Sequence, residues 1–333
     1  VADRLRVAVV GLNFGRWLVE NELLTGPGSQ ACELVGVCDL DVAKARALAG
    51  SWSVAAYADY DEVLADPGVD AVVLMVGPVG KGALVSRVVA AGKPVMTTKP
   101  FETSSALALS ALREAAAAEV PVFLNSPTAV PEPDMRTLLD WIGRHDLGRP
   151  VAYRASTWCA YRERPDGSWY DDPALCPAAP ITRLGVYLLN DLARFVAPVR
   201  DVAVQQSRLF TGRPTSDNAQ LALVHDDGTL GTVFASFCVG DGQPYLRSME
   251  LNFERGTLYR NVGMAPGDDR RLVRLGVSAV VDGVRVVDAA EVEQSDTGYQ
   301  WELFRRACRG EDVGPLIAPE QVASAIGVLE RLT

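Results

Sequence analysis

Residues near the start of the chain carry the types and spacing needed to hold a redox dinucleotide. Gly11, Asn13, Phe14, Gly15 and Arg16 form a compact turn, Gly11-Leu12-Asn13-Phe14-Gly15-Arg16. It lies between an apolar run, Arg6–Val10, and an amphipathic stretch beginning at Trp17. Gly11 permits a tight strand-to-helix turn, and Gly15 lets the helix sit close to the strand. Such a turn cradles a pyrophosphate on the helix N-terminus. Asn13 stands where a second turn glycine is expected. Asn tolerates unusual backbone angles but adds bulk beside the pyrophosphate. Asp39 ends the second apolar run, Glu33–Cys38, close to the spacing of about 20 residues that the fingerprint requires. A carboxylate there suits the 2′-hydroxyl of NAD and repels the 2′-phosphate of NADP. No arginine follows it directly, so NAD is the expected cofactor and NADP the alternative.

A second chemical group is Lys99. It precedes Pro100 and follows the short run Val95–Thr97. Ligands of open α/β sheets bind just past the carboxyl ends of such strands. A lysine there can donate a hydrogen bond to a substrate oxygen undergoing redox change. Lysine is scarce in this chain: Lys44, Lys81, Lys93 and Lys99 are the only four among 32 basic residues, which makes each worth attention. Val76, Gly77, Thr98 and Asn125 also lie at or just past strand ends and complete the candidate cofactor contacts.

These residues need a scaffold, and the periodicity supplies one. Through residue 125, apolar runs (Arg6–Val10, Leu34–Cys38, Ala71–Met75, Val95–Thr97, Val122–Asn125) alternate with Ala/Leu/Val-rich helical patterns (Ala43–Gly50, Tyr60–Ala65, Gly82–Ala91, Ser104–Glu119). That alternation predicts a parallel, doubly wound Rossmann domain over 1–125. A helix over Asp134–Ile142 follows. From Val151 the pattern changes to period-two strands, best at Val151–Cys159, Asp201–Phe210, Gln220–His225, Leu230–Cys238, Arg247–Phe253 and Thr257–Asn261. A helix near Leu184–Phe195 and two C-terminal helices, Trp301–Arg309 and Pro319–Leu332, accompany them. Residues 126–333 are therefore expected to form an α+β domain on an open, mostly antiparallel sheet, with a C-terminal helix packing back on the Rossmann domain.

Composition narrows the class. Hydrophobic residues make up 48% and charged residues 22%, as in a soluble globular protein. No apolar run approaches the roughly 18 residues of a membrane span, and the opening residues do not read as a signal peptide. The net charge of −10 argues against nucleic acid as a partner. Six scattered cysteines without a CxxC pair suit reduced thiols in the cytoplasm rather than disulfides or a metal site.

The phrase Ala91-Gly92-Lys93-Pro94-Val95 leading to Thr98-Lys99-Pro100, with Val69-Asp70-Ala71-Val72-Val73 upstream and Gly148-Arg149-Pro150 downstream, resembles the glucose–fructose oxidoreductase / inositol dehydrogenase / MocA family of NAD(P)-dependent oxidoreductases. The resemblance runs over essentially the whole chain. The family reads Glu-Lys-Pro where this chain has Thr98-Lys99-Pro100. Family members also carry Asp-x-Gly-x-His on a helix beside the nicotinamide. Here the matching slots hold Arg183 and Tyr187. The two histidines, His145 and His225, match neither slot and are expected at the surface. Arg183 and Tyr187 are spaced to share a helix face. A Tyr phenol can donate a proton to a forming alkoxide, and Arg183 either tunes it or grips an anionic substrate group. Asn190 and Asp191, one turn on, are expected to orient substrate hydroxyls. Trp158, Tyr161 and Trp169, with nearby arginines, suit a sugar ring and a phosphate, and equally suit a sheet edge.

The resemblance implies hydride transfer between NAD(P) and a sugar-like or cyclitol-like carbinol or ketone, most simply as a ketoreductase, with catalytic residues Lys99, Tyr187 and Arg183. The alternatives are an imine reductase of the same architecture, whose likeness is confined to the glycine turn, and a non-catalytic dinucleotide-binding protein. The expected partners are a small-molecule substrate and a second copy of the chain, docked through the C-terminal sheet.

Overall fold

The computed structural model describes residues 4–242, 245–264, 271–293 and 297–332. The chain forms two compact units: Val1–Val130 with Thr297–Pro319, and Pro131–Asp296 with Glu320–Thr333. The first therefore extends a little past residue 125 and recruits a segment from near the C-terminus.

The first unit carries six strands: β1 (Leu5–Val10), β2 (Cys32–Cys38), β3 (Ala55–Ala56), β4 (Ala71–Leu74), β5 (Val95–Thr97) and β6 (Val122–Leu124). All neighbours run parallel, in the order β3-β2-β1-β4-β5-β6. That is the Rossmann order, reversing direction between β1 and β4. Val7, Ala8 and Val9 and every residue of β4 are fully buried. Helices cover both faces, so these strands read as continuous apolar runs. The crossover helices start where short acids can cap them. Asp41 accepts from the Lys44 amide ahead of Val42–Trp52, and Asp59 from the Glu62 amide ahead of Tyr60–Ala65. The helix Trp301–Cys308 buries Trp301 and Phe304 in the same core. Trp301 satisfies its indole N–H on the buried Glu22 carboxylate at 2.9 Å.

The second unit is built on an eight-stranded sheet: β7 (Pro150–Trp158), β8 (Val199–Ser207), β9 (Asn218–His225), β10 (Leu230–Ser236), β11 (Leu246–Phe253), β12 (Gly256–Met264), β13 (Arg271–Val281) and β14 (Val284–Glu293). Its order is β14-β13-β12-β11-β7-β10-β9-β8, antiparallel except for the β7–β10 pair. Strands β13 and β14 add to the six read from periodicity. The turn joining them uses Asp282 and Gly283, both at positive φ, which matches the twist of a two-residue hairpin. Helices Pro133–Arg144 and Pro319–Glu330, with the helical segment 181–192, supply Leu138, Leu329, Ile181 and Leu188 to a core shared with Leu221, Val233 and Leu258. The last helix thus belongs to the second unit's core. Among the described residues, no helix is long and apolar enough to cross a membrane.

Candidate active site

The candidate cofactor edge is the carboxyl end of β1, β2, β4 and β5. Gly11 sits at φ +88°, and a Cβ there would approach the Met75 carbonyl oxygen to 2.7 Å. Only glycine fits this turn. Its amide donates to the Cys38 carbonyl at 2.8 Å, fastening β1 to β2. Gly15 lets the following helix, Phe14–Leu18, close on the strand: a Cβ there would lie 3.2 Å from Val9 Cγ1. Asn13 occupies the position that would cap this helix, yet its side chain makes no capping bond. Its Oδ1 instead accepts from Lys44 Nζ at 2.9 Å. The amides of the first turn are thus not covered by a side-chain cap. Phe14 and Trp17 stack on each other, both exposed.

Asp39 is held rigidly. Its Oδ2 accepts from the Leu12 amide at 2.6 Å and its Oδ1 from the Asp41 amide at 2.9 Å. Lys44 Nζ lies 3.1 Å from the same carboxylate. Burial pulls the Asp39 pKa upward, but the two amides and Lys44 outweigh it and hold the group below its ordinary range. The acid is therefore ionised and aimed, with a lysine bridging it to Asn13. These residues fit a dinucleotide: a turn no Cβ would tolerate, a helix start without a side-chain cap, and a fixed carboxylate at the end of β2. Val76 and Gly77 follow β4 at the switch point, Gly77 exposed.

Lys99 lies just past β5 and is half-buried. Its backbone is fixed on three consecutive residues. The Thr98 hydroxyl and the Lys99 amide both donate to Asn125 Oδ1, each at 3.2 Å. The carbonyls of Thr98 and Pro100 both accept from Lys81 Nζ, each at 2.7 Å. Asn125, expected to contact the cofactor, is itself buried and serves as the fastener of this turn.

In the second unit, Arg183 stands in a π-helical turn, Ile181–Gly185, that leads into the helix Val186–Leu192. Such turns recur at functional sites. The Arg183 guanidinium is buried and meets Glu163 with both terminal nitrogens, at 2.6 and 2.8 Å. It also stacks on Tyr170 at 3.9 Å and borders Phe237 and Tyr161. Burial would raise the Glu163 pKa, but Arg183 and then Arg213 hold it below the ordinary carboxylate range. Arg213, also buried, ties Glu163, Asp166 and Asp171 together. The irregular segment over 160–172 is thus pinned by two arginines. Tyr161 and Trp169 pack against the same small cluster, formed by Cys159, Cys176, Ala179, Leu184 and Phe237. Trp158 donates to Asp241 at 3.0 Å.

Tyr187 takes a different setting. It packs against the main core, with the Arg247 guanidinium 5.3 Å from its ring centre. Asn190 is buried. Asp191 faces Arg260 at 3.3 Å, and Arg260 also pairs with the buried Asp134 at 2.6 Å. Burial raises the Asp191 pKa against the pull of Arg260. Two site expectations change here. The Arg183 charge, expected to tune Tyr187 or meet a substrate anion, is answered by Glu163. Asp191, expected to orient substrate hydroxyls, belongs to an ion cluster with Arg260 and Asp134. The histidines are not at the surface either. Both are buried, and His225 bonds the Tyr153 hydroxyl at 2.9 Å.

Residues 5–126 match the family described as oxidoreductase family, NAD-binding Rossmann fold, and residues 135–259 match the Gfo/Idh/MocA C-terminal domain. The chain belongs to the Gfo/Idh/MocA oxidoreductase family. It is an NAD(P)-dependent oxidoreductase with that family's two domains. No curated protein matches the sequence. Among solved structures, the 3-ketoreductase KijD10 of Actinomadura kijaniata, in complex with TDP-benzene and NADP, is similar at 17% identity and TM-score 0.69, covering 98% of this chain and 96% of that one. The UDP-N-acetylglucosamine 3-dehydrogenase GnnA of Acidithiobacillus ferrooxidans gives 17% and 0.68, covering 99% and 97%. The WlbA dehydrogenase of Bordetella pertussis, in complex with NADH and UDP-GlcNAcA, gives 17% and 0.68, covering 98% and 94%. At that identity they share the fold with this chain.

Lys44 and Lys81 stand out in the sequence only by the scarcity of lysine, with no role legible there. Glu163 carries no such signal, because its partners Arg183 and Arg213 arrive from distant segments.

Proposed function

We propose that this oxidoreductase transfers a hydride reversibly between its nicotinamide cofactor and a carbinol or ketone carbon of a sugar-like or cyclitol-like substrate, acting as a ketoreductase. The observation that carries this reading is the Lys99 turn. A lysine that neighbours the glycine-turn edge, with its backbone fixed on both sides, is built to present an amine reproducibly. Gly11, Asn13, Gly15 and Asp39 would hold the cofactor, which supplies or accepts the hydride. Lys99 donates a hydrogen bond to the substrate oxygen and stabilises the negative charge that grows there during reduction. Tyr187, whose ring centre lies 5.3 Å from the Arg247 guanidinium, is assigned the proton exchange of the reaction. Arg183 serves as support, holding the 160–172 segment through Glu163.

The substrate class is drawn from two considerations. Tyr161 and Trp169 are partly buried rings beside arginines, a surface that suits a sugar. Of the three similar proteins named above, one is a 3-ketoreductase, one a UDP-N-acetylglucosamine 3-dehydrogenase and one a dehydrogenase in complex with UDP-GlcNAcA, so a nucleotide-linked hexose is the class to assay before others. The outward face of the eight-stranded sheet exposes Leu230, Tyr259, Val280 and Val287, and the proposal includes a homo-oligomer through this face in the cytoplasm. A clean monomer by light scattering would contradict that part.

The deciding assay follows NADH and NADPH oxidation on nucleotide-linked ketohexoses and NAD reduction on UDP-N-acetylglucosamine. Lys99→Ala and Tyr187→Phe are compared with the native chain. If both variants keep full turnover on a substrate the native enzyme uses, these roles are wrong.

A further inference from the structure

Lys81 is among the largest fully buried side chains of the described residues, with no exposure at all. A lysine in that state is unusual, because burying an ammonium is costly unless it is well bonded. It opens the helix Lys81–Ala90 and reaches across to the turn that carries Lys99. Its Nζ bridges the carbonyls of Thr98 and Pro100, the residues on either side of Lys99. The reverse strap runs from the turn to the helix. Glu102, also buried, accepts from the Gly82 amide at 2.8 Å and the Gly80 amide at 3.3 Å. Helix start and turn are therefore laced in both directions, by the Lys81 amine on one side and the Glu102 side chain on the other.

Burial pushes the Lys81 amine down to about 7; Glu102 opposes this, and the neighbouring Lys99 charge adds to it. An apolar side chain of the same length would avoid that penalty and still fill the space. What it could not do is bond two carbonyls that bracket one residue. The residue so bracketed is Lys99, whose own amide is fixed by Asn125.

We propose that Lys81 is a positioning residue of the reaction centre: by bridging the carbonyls on either side of Lys99, it sets where the Lys99 amine is presented to cofactor and substrate. The inference rests on the reading of Lys99 given above. Lys81 itself touches neither ligand and acts through the turn.

The test uses the full chain with NADH as the probe and needs no substrate. Lys81→Met keeps the length and removes the donors, Lys81→Arg keeps a cation with different reach, and Lys99→Ala removes the presented amine. Two readouts are taken: amide hydrogen exchange over 97–103, with β1 as internal reference, and the fluorescence lifetime of bound NADH, which senses the surroundings of the nicotinamide. In Lys81→Met, exchange across the turn should accelerate by about ten-fold or more while β1 is unchanged, as expected when one local unit loosens. The lifetime should move toward that of Lys99→Ala, and the double variant should match Lys99→Ala alone. Native exchange and native lifetime in Lys81→Met overturn the proposal, as does a double variant in which the two shifts add in full. An unchanged lifetime in Lys99→Ala sinks the reading of Lys99 instead, while the exchange data still report on the Lys81 bridge. Should Lys81→Met not fold, Lys81→Arg decides: a lifetime shifted toward Lys99→Ala supports the inference, and a native lifetime overturns it.

Discussion

The cofactor edge of the first unit and the 160–190 region of the second handle charge in opposite ways. At the cofactor edge, backbone geometry does most of the positioning. Gly11 shapes the turn, amides of Leu12 and Asp41 aim Asp39, and one lysine bridges Asp39 and Asn13. In the second unit, long side chains from separate segments pair with one another. Glu163 meets Arg183 and Arg213, and Arg213 meets Asp166 and Asp171. The first arrangement presents polar groups toward a ligand edge. The second spends them on holding an irregular segment in shape.

The largest expected effect breaks the comparison at the Lys99 turn. Lys99→Ala should lower kcat by roughly 10²–10³-fold, the loss typical of one donor to a developing oxyanion. Cofactor affinity by NADH fluorescence titration should change far less. An equal loss in both would make Lys99 a binding residue. Next in size is Gly11→Ala. The added Cβ meets a backbone oxygen at 2.7 Å and sits at φ +88°, a strain of about 1–3 kcal/mol. The denaturation midpoint should fall and NAD binding should weaken together. A variant with native stability and native NAD affinity would show that the turn can relax, against the view that this edge is set by backbone.

The same contrast explains what could be read from the chain beforehand. The Rossmann half was legible because its signals are local: Gly11 and Gly15 in one turn, Asp39 at the end of the next strand, and β4 as an unbroken apolar run. Strands β13 and β14 were missed although each is long. Both place apolar side chains on the exposed face, such as Val280 and Val287, so the alternation that marks a half-buried strand is blurred. Arg183 was placed on a helix from spacing. Its true environment is made by Glu163, Tyr170 and Phe237, which no periodicity connects. Lys81 looks like an ordinary first-turn lysine until the fold brings the Thr98 and Pro100 carbonyls to it.

A smaller effect is expected in the second unit. Glu163→Gln leaves Arg183 and Arg213 without one shared counter-charge. Because the carboxylate is partly exposed, its side chain 30% accessible, the loss should be about 1–2 kcal/mol rather than that of a fully buried pair. The sign with pH follows from the direction of the shift. Glu163 is more acidic folded than unfolded, so its contribution is present above the unfolded value of 4.5 and is lost as pH falls through its lower folded value. The gap in melting temperature between native chain and variant should therefore be widest near neutrality and close as the medium becomes acidic. A gap that widens in acid would mean that Glu163 is not held by its arginines.

The smallest effect concerns Lys44, where the two styles of charge handling meet. Asp39 taken alone favours NAD, since an ionised carboxylate repels a 2′-phosphate. Lys44, 3.1 Å away and 30% exposed, offers that phosphate a cation at the same spot. Asp39 does not depend on Lys44 for its aim, because two backbone amides hold it. Lys44→Ala should therefore leave NAD affinity nearly unchanged and weaken NADP by about three- to ten-fold, the scale of one partly exposed ion pair. Titrating both cofactors against both proteins at one salt concentration gives the ratio directly. If the ratio does not move, the carboxylate alone sets cofactor choice, and Lys44 does no more than tether the glycine turn to the end of β2.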